Sequence, residues 1–154
     1  MRMTLPTAML LATLLLAGCA EEPFTMQASG PFIYLAGYPA AENPRLERAA
    51  VLVTITNRAG DDLVVSPDEF VARDSKRRIY PANPVATAAD WRLVKLAVGS
   101  QGVDDARPLP AITLRQNDVL TGYVVFDLPT GVRPVDVIWR QIDGDQVVQL
   151  SAAH

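Results

Sequence analysis

The chain holds one cysteine, Cys19, and one histidine, His154, and these two residues bound the chemistry open to it. Histidine is the usual general base near neutral pH. His154 is the last residue of the sequence, where a frayed end is the expectation, so a Ser-His-Asp relay has little support. One histidine and one cysteine cannot assemble a zinc site, and a single cysteine cannot close an internal disulfide. Phosphate-cradling glycine loops and dinucleotide fingerprints are missing. Carboxylates remain: Asp61 with Asp62, Asp104 with Asp105, and Asp143 with Asp145 around Gly144. Loop oxygens of this kind can hold calcium. Aspartate and glycine are also what tight turns select, and turns are the expectation here. No cofactor, no metal and no catalytic residue is predicted, and the protein is expected not to be an enzyme.

Three further features invite a binding role. Lys76-Arg77-Arg78 is the one run of three basic residues, read as a solvated turn between strands or as a contact for anionic headgroups. Trp139 falls on an inward strand position and is predicted to be core. Trp91 lies in an irregular stretch, where it packs a loop or anchors a partner.

Cys19 has a more specific reading. Leu16-Ala17-Gly18-Cys19 resembles a bacterial lipobox, in which a signal peptide is cut just before a cysteine carrying diacylglycerol. The regions of a secretory signal stand in order: Arg2, an apolar stretch over residues 5–16 broken by Pro6, then Ala17 and Gly18. The stretch is shorter than the roughly 20 residues of a membrane-spanning helix. Residues 1–18 are therefore read as a signal peptide and Cys19 as the lipidation site. Two acyl chains, at about 0.8 kcal/mol per buried methylene, make an effectively permanent anchor. Ala20 stands where an aspartate would favour inner-membrane retention in a Gram-negative host, which leans the expected location toward the outer membrane.

Cleavage would leave 136 residues and, with Arg2 gone, move the net charge from −3 to −4. That length suits one domain able to fold without staples. The acidic balance, with no cationic stripe, argues against nucleic acid. Residues 19–30 read as a lipidated tether because Glu21, Glu22, Pro23, Gln27, Ser29 and Gly30 bring polarity and breakers. Its 11 residues after the cysteine would span at most roughly 40 Å. Residues 31–154 form the domain.

The body alternates like strands. Residues 32–36 are a first strand. Val51, Val53 and Ile55 share one face of residues 49–57, and the turn at residues 58–62 follows. Residues 63–65 resume extended structure, Ser66-Pro67-Asp68 interrupts it, and Phe70 and Ala72 point inward. Leu120, Val124, Phe126 and Leu128 share a face, as do Val135, Val137 and Trp139. Asp143-Gly144 turns the chain into residues 146–150. Val94, Leu96 and Val98 suggest one more strand. Asn43-Pro44 and Asn83-Pro84 are each expected to start a short helical turn, over residues 45–48 and 85–89. Residues 81–111 are the least regular and the place to look for function. The predicted fold is all-β, an immunoglobulin-like β-sandwich of seven to nine strands.

Several of these segments, taken in order, carry a family resemblance. They are Val53-Thr-Ile-Thr-Asn57, Leu63-Val-Val-Ser-Pro-Asp-Glu-Phe70, Asp74 with Arg78-Ile-Tyr80, and Leu120-Thr-Gly-Tyr-Val-Val-Phe-Asp-Leu-Pro129. Together they resemble the telokin-like, immunoglobulin-like domain of bacterial surface lipoproteins and secreted proteins. The resemblance covers residues 49–150 and implies the sandwich fold. It implies no catalytic or ligand-binding residue. Arg115-Gln-Asn-Asp118 replaces the family's Pro-Gly-Glu-like turn.

The functional expectation is a non-catalytic envelope module, held to a membrane through lipidated Cys19, that binds an envelope protein. The alternative is a carrier of a small molecule or ion, with a cavity lined by Trp91 and Tyr123.

Overall fold

The computed structural model describes residues 23–39, 43–89, 107–141 and 144–149. Nine strands run through them in chain order: β1 (Phe24–Pro39), β2 (Leu46–Asn57), β3 (Leu63–Val65), β4 (Phe70–Asp74) and β5 (Ile79–Pro81) come first. After one short helix, α1 (Pro84–Ala89), follow β6 (Ile112–Leu114), β7 (Val119–Pro129), β8 (Pro134–Trp139) and β9 (Gln146–Gln149). One sheet has the order β1-β2-β7 and another β5-β4-β8-β9, while β3 and β6 pair separately; every ladder is antiparallel. The expected all-β sandwich is what the chain adopts.

The period-2 pattern explains the packing. On β2 the residues Ala49, Val51, Val53 and Ile55 are fully buried, and on β7 Val124, Phe126 and Leu128 meet them from the same sheet. Phe70, Ala72, Val137 and Trp139 line the facing sheet and join the same core. Burying each large apolar side chain contributes about 1.5–3 kcal/mol. Trp139 lies between two rings: Phe70 is stacked on it at 5.9 Å, and Phe24 stands edge-on at 5.5 Å. Phe32 packs edge-on against Phe126 in the same way.

Strand structure therefore begins within the residues that read as a spacer. Phe24 to Ser29 pair with Asn57 to Leu52 and Met26 is buried, so strand pairing is already in place at Phe24, ahead of the boundary expected at residue 31. Gly30 and Pro31 bulge instead of ending the strand: Ser29 pairs with Leu52 and Ile33 with Ala50, which leaves two residues of β1 unopposed. A proline lacks the N–H that a ladder needs, so it sits where pairing lapses.

Two smaller expectations also change. Asn43-Pro44 starts no helical turn over residues 45–48; its side chain accepts the Arg45 N–H at 3.0 Å and the chain enters β2 at Leu46. Pairing of Leu46 to Ala50 with Pro129 to Val125 outweighs the local signal. Val135 is 42 % exposed, because it lies at the bulged mouth of the β4–β8 ladder rather than inside. The strand predicted around Val94, Leu96 and Val98 lies outside the described residues.

Asn83-Pro84 behaves as predicted. The Asn83 Oδ1 accepts the Ala86 N–H at 2.9 Å, and α1 follows. Ala86 packs with Ala50, Tyr123 and Val125 on the outer face of the first sheet. Both ends of the irregular stretch run along the edge of β7. Ala82 bridges to Phe126 and Pro108 to Tyr123, and the Leu109 N–H donates to the Tyr123 carbonyl at 2.9 Å. Gly122 permits that approach, since a Cβ there would stand 2.6 Å from the Leu109 Cα.

Candidate functional site

Strand register sorts the surface into two ends. Phe24 pairs with Asn57 and touches Trp139, so the loops at residues 58–62 and 115–118, with residues 140–141 and 144–145, share one end with the start of the first strand. Leu46 pairs with Pro129 and Asp74 with Pro134, so the turns at residues 43–45, 74–78 and 130–133 share the opposite end.

Charge follows the same division among the described residues. The far end carries Arg45, Lys76, Arg77, Arg78 and Arg133 against Glu47 and Asp74. At the end where the first strand starts, Arg58, Arg115 and Arg140 are outnumbered by Asp61, Asp62, Asp68, Glu69, Asp118 and Asp145. Sequence reading isolated Lys76-Arg77-Arg78 but could not add Arg45 and Arg133, which only the register brings alongside.

The basic turn is built around a buried carboxylate. Asp74 Oδ1 accepts the N–H groups of Lys76 and Arg78, each at 2.9 Å. Its Oδ2 accepts the Arg78 guanidinium at 2.7 Å and the Tyr80 hydroxyl at 3.1 Å. Burial by itself would push the Asp74 carboxyl up; the hydrogen bonds from the Arg78 backbone and guanidinium and from Tyr80 prevail and hold it below its ordinary value. The same contacts raise Arg78, chiefly through its bond to Asp74. Nearby, the Arg133 guanidinium lies 4.1 Å over the Tyr34 ring and donates to Glu47 at 3.3 Å.

Two polar networks were not foreseen. Glu69 Oε2 accepts the Trp139 indole N–H at 2.9 Å, the Ser66 N–H at 3.1 Å and a Gln141 amide N–H at 3.3 Å. Arg48 Nε donates to Asp127 at 2.9 Å, and the Asn83 amide donates to the other Asp127 oxygen at 2.7 Å. These residues lie far apart in sequence, so the only local signals were a Ser66-to-Glu69 capping pattern and two charges on outward strand positions. The buried carboxylates among the described residues, Asp74 and Asp136, each face an arginine; Arg73 donates to Asp136 at 2.7 Å.

The remaining candidates separate widely. Asp61 and Asp62 are exposed in the β2–β3 turn, and Asp145 is exposed before β9. Among the described residues no group of three or more His, Cys, Asp or Glu side chains could hold a metal ion. Cys19, Trp91, Asp104, Asp105, Asp143 and His154 lie outside the described residues. Trp139 is core, as expected. Tyr123 is buried beneath α1, and burial pushes its phenol up. An open groove of about 580 Å³ lies elsewhere, between the segment at Arg107, Pro108 and Pro110 and the start of β7 at Val119, Leu120 and Thr121.

No family model and no curated protein matches the chain. In shape it is similar to MPT63, a secreted protein of Mycobacterium tuberculosis, with a TM-score of 0.55 and 15% identity over 82% of each chain. A candidate lipoprotein of Bacillus subtilis, ycdA, aligns with a TM-score of 0.51 and 11% identity. That match covers 83% of this chain and 36% of the other. At such identities the likeness shows the fold: the chain is an antiparallel β-sandwich.

Proposed function

We propose that the protein is an exported lipoprotein of the telokin-like, immunoglobulin-like kind, anchored through Cys19, that works as a non-catalytic binding module for another envelope component. One observation carries this reading. Phe24, packed on Trp139, follows the lipobox-like cysteine by five residues, so the folded domain starts almost at the anchor. That link spans at most about 18 Å, against roughly 40 Å for the longer spacer. The acidic end would then stand close to the bilayer. Engagement of Asp74 and Asp136 by arginines supports a role other than catalysis, because both carboxylates are already committed to cations. Ala20 favours the outer membrane in a Gram-negative host.

Metabolic labelling with a radioactive fatty acid tests the anchor. The native chain is expected to take up label and sediment with membranes, and Cys19→Ala to lose both. Undiminished labelling of Cys19→Ala would refute it.

A further inference from the structure

The basic end carries a strained residue. Arg77 has φ +63°, in the left-handed region that glycine occupies freely and a Cβ does not. Asp74 imposes that geometry: its carbonyl accepts the Arg77 N–H at 2.9 Å while its carboxylate holds the neighbouring N–H groups. Glycine would relieve the strain, yet the position holds an arginine whose side chain is exposed, with no ion-pair partner among the described residues. Lys76 beside it likewise has no ion-pair partner among the described residues. Strain kept at an exposed charged residue points to use of its side chain.

The surroundings suit a partner rather than a small ligand. Arg78 and Arg133 are held in place by Asp74, Glu47 and the Tyr34 ring, yet 57% and 61% of their side chains remain exposed. Fixed guanidinium groups lose little freedom when they meet a carboxylate. Ile79 and Val135 are exposed beside them, 52% and 42%, on the strands that flank β4. The groove described above lies at the other end, beside Val119 and Thr121, which pair with Thr56 and Thr54.

We propose that this basic end is a docking surface for an acidic segment of a partner protein. Arginine is enriched at protein interfaces relative to the rest of the surface. A turn that carries several cations suits a partner that presents several anions. Where that partner lies rests on the anchoring reading above. Phe24, the start of the first strand, lies at the acidic end, and the 12 residues of β2 alone separate the ends by about 36 Å. That distance is several times the Debye length of about 8–10 Å, so the basic end faces away from the field of its own bilayer.

The test uses the full chain in a neutral detergent and a fluorescent decaglutamate peptide, followed by anisotropy at low salt. Lys76→Gln with Arg77→Gln is expected to weaken peptide binding about tenfold, or 1.4 kcal/mol. The control pair Arg58→Gln with Arg115→Gln, at the acidic end, should leave it within about twofold. Arg77→Gly is the sharper variant: it should raise the melting temperature and still weaken binding, whereas a merely structural turn would show only the first effect. Absence of peptide binding, equal loss in the control pair, or no loss in the double variant would overturn the proposal. So would tighter binding to phosphatidylglycerol vesicles or to inorganic polyphosphate than to the peptide. The readout does not involve acyl groups, so failure of Cys19 labelling and failure of docking are separate results.

Discussion

Phe24 stands edge-on to Trp139, ring centroids 5.5 Å apart and planes at 67°, which fastens the first strand of the sandwich to its second-last. Edge-to-face aromatic pairs contribute about 0.5–1.5 kcal/mol beyond area burial. The contact joins both sheets at the acidic end, where the first strand starts. Phe24→Ala removes the ring and opens space beside Trp139. We expect a loss of about 3 kcal/mol in urea-induced unfolding, together with a red shift of tryptophan emission. A change within about 0.5 kcal/mol, as for an ordinary surface site, would contradict a structural role for residues 24–30.

Gly122 determines how closely the segment at Leu109 can approach β7. A methyl group there would lie 2.6 Å from the Leu109 Cα, a backbone atom with little room to retreat. Gly122→Ala should cost about 2 kcal/mol. Amide exchange at Leu109 should accelerate, since its N–H bond to Tyr123 is the contact displaced. Slow exchange in the variant would show that the segment is held by other means.

Asp74 ties part of the stability to acid pH. Its carboxyl is lowered in the fold, so its contribution is fully present above the ordinary carboxylate value and is lost as pH falls through the folded value. Asp74→Asn should therefore unfold more easily at neutral pH while showing a shallower decline in stability on acidification. Parallel acid limbs for the two proteins, followed by circular dichroism, would contradict the network as described.

Alkaline conditions act on the buried phenols. Burial raises Tyr123, and burial raises Tyr34 despite the opposing Arg133 charge. Their contribution is fully present below the ordinary tyrosine value of about 10 and is lost as pH rises through the folded values. Tyr123→Phe should flatten that alkaline decline. Equal slopes for native and variant protein, read from unfolding at stepped pH, would count against a buried Tyr123.

Much of the sandwich was legible because its evidence is local. Val51, Val53 and Ile55, or Val124, Phe126 and Leu128, declare a strand by alternation within a few residues, and Asn83-Pro84 declares a helix start within three. Phe24 to Ser29 alternate as well, but Gly30-Pro31 reads as the close of a linker. A bulge and a chain break look alike until a partner strand supplies the register.

The sequence by itself determined the strands, the inward faces, the capped helix and a lone cysteine set in a lipobox-like context. Tertiary structure decided which charges meet. Arg48 and Asp127 are separated by 79 residues and Trp139 and Glu69 by 70, and no periodicity links such pairs. The same holds for the basic end, since Arg45 and Arg133 reach the Lys76 turn only through the β2–β7 and β4–β8 registers. Alternation follows from the two-residue repeat of an extended chain and is written locally. Charge polarity follows from how strands are laid side by side, which is settled only when the core closes.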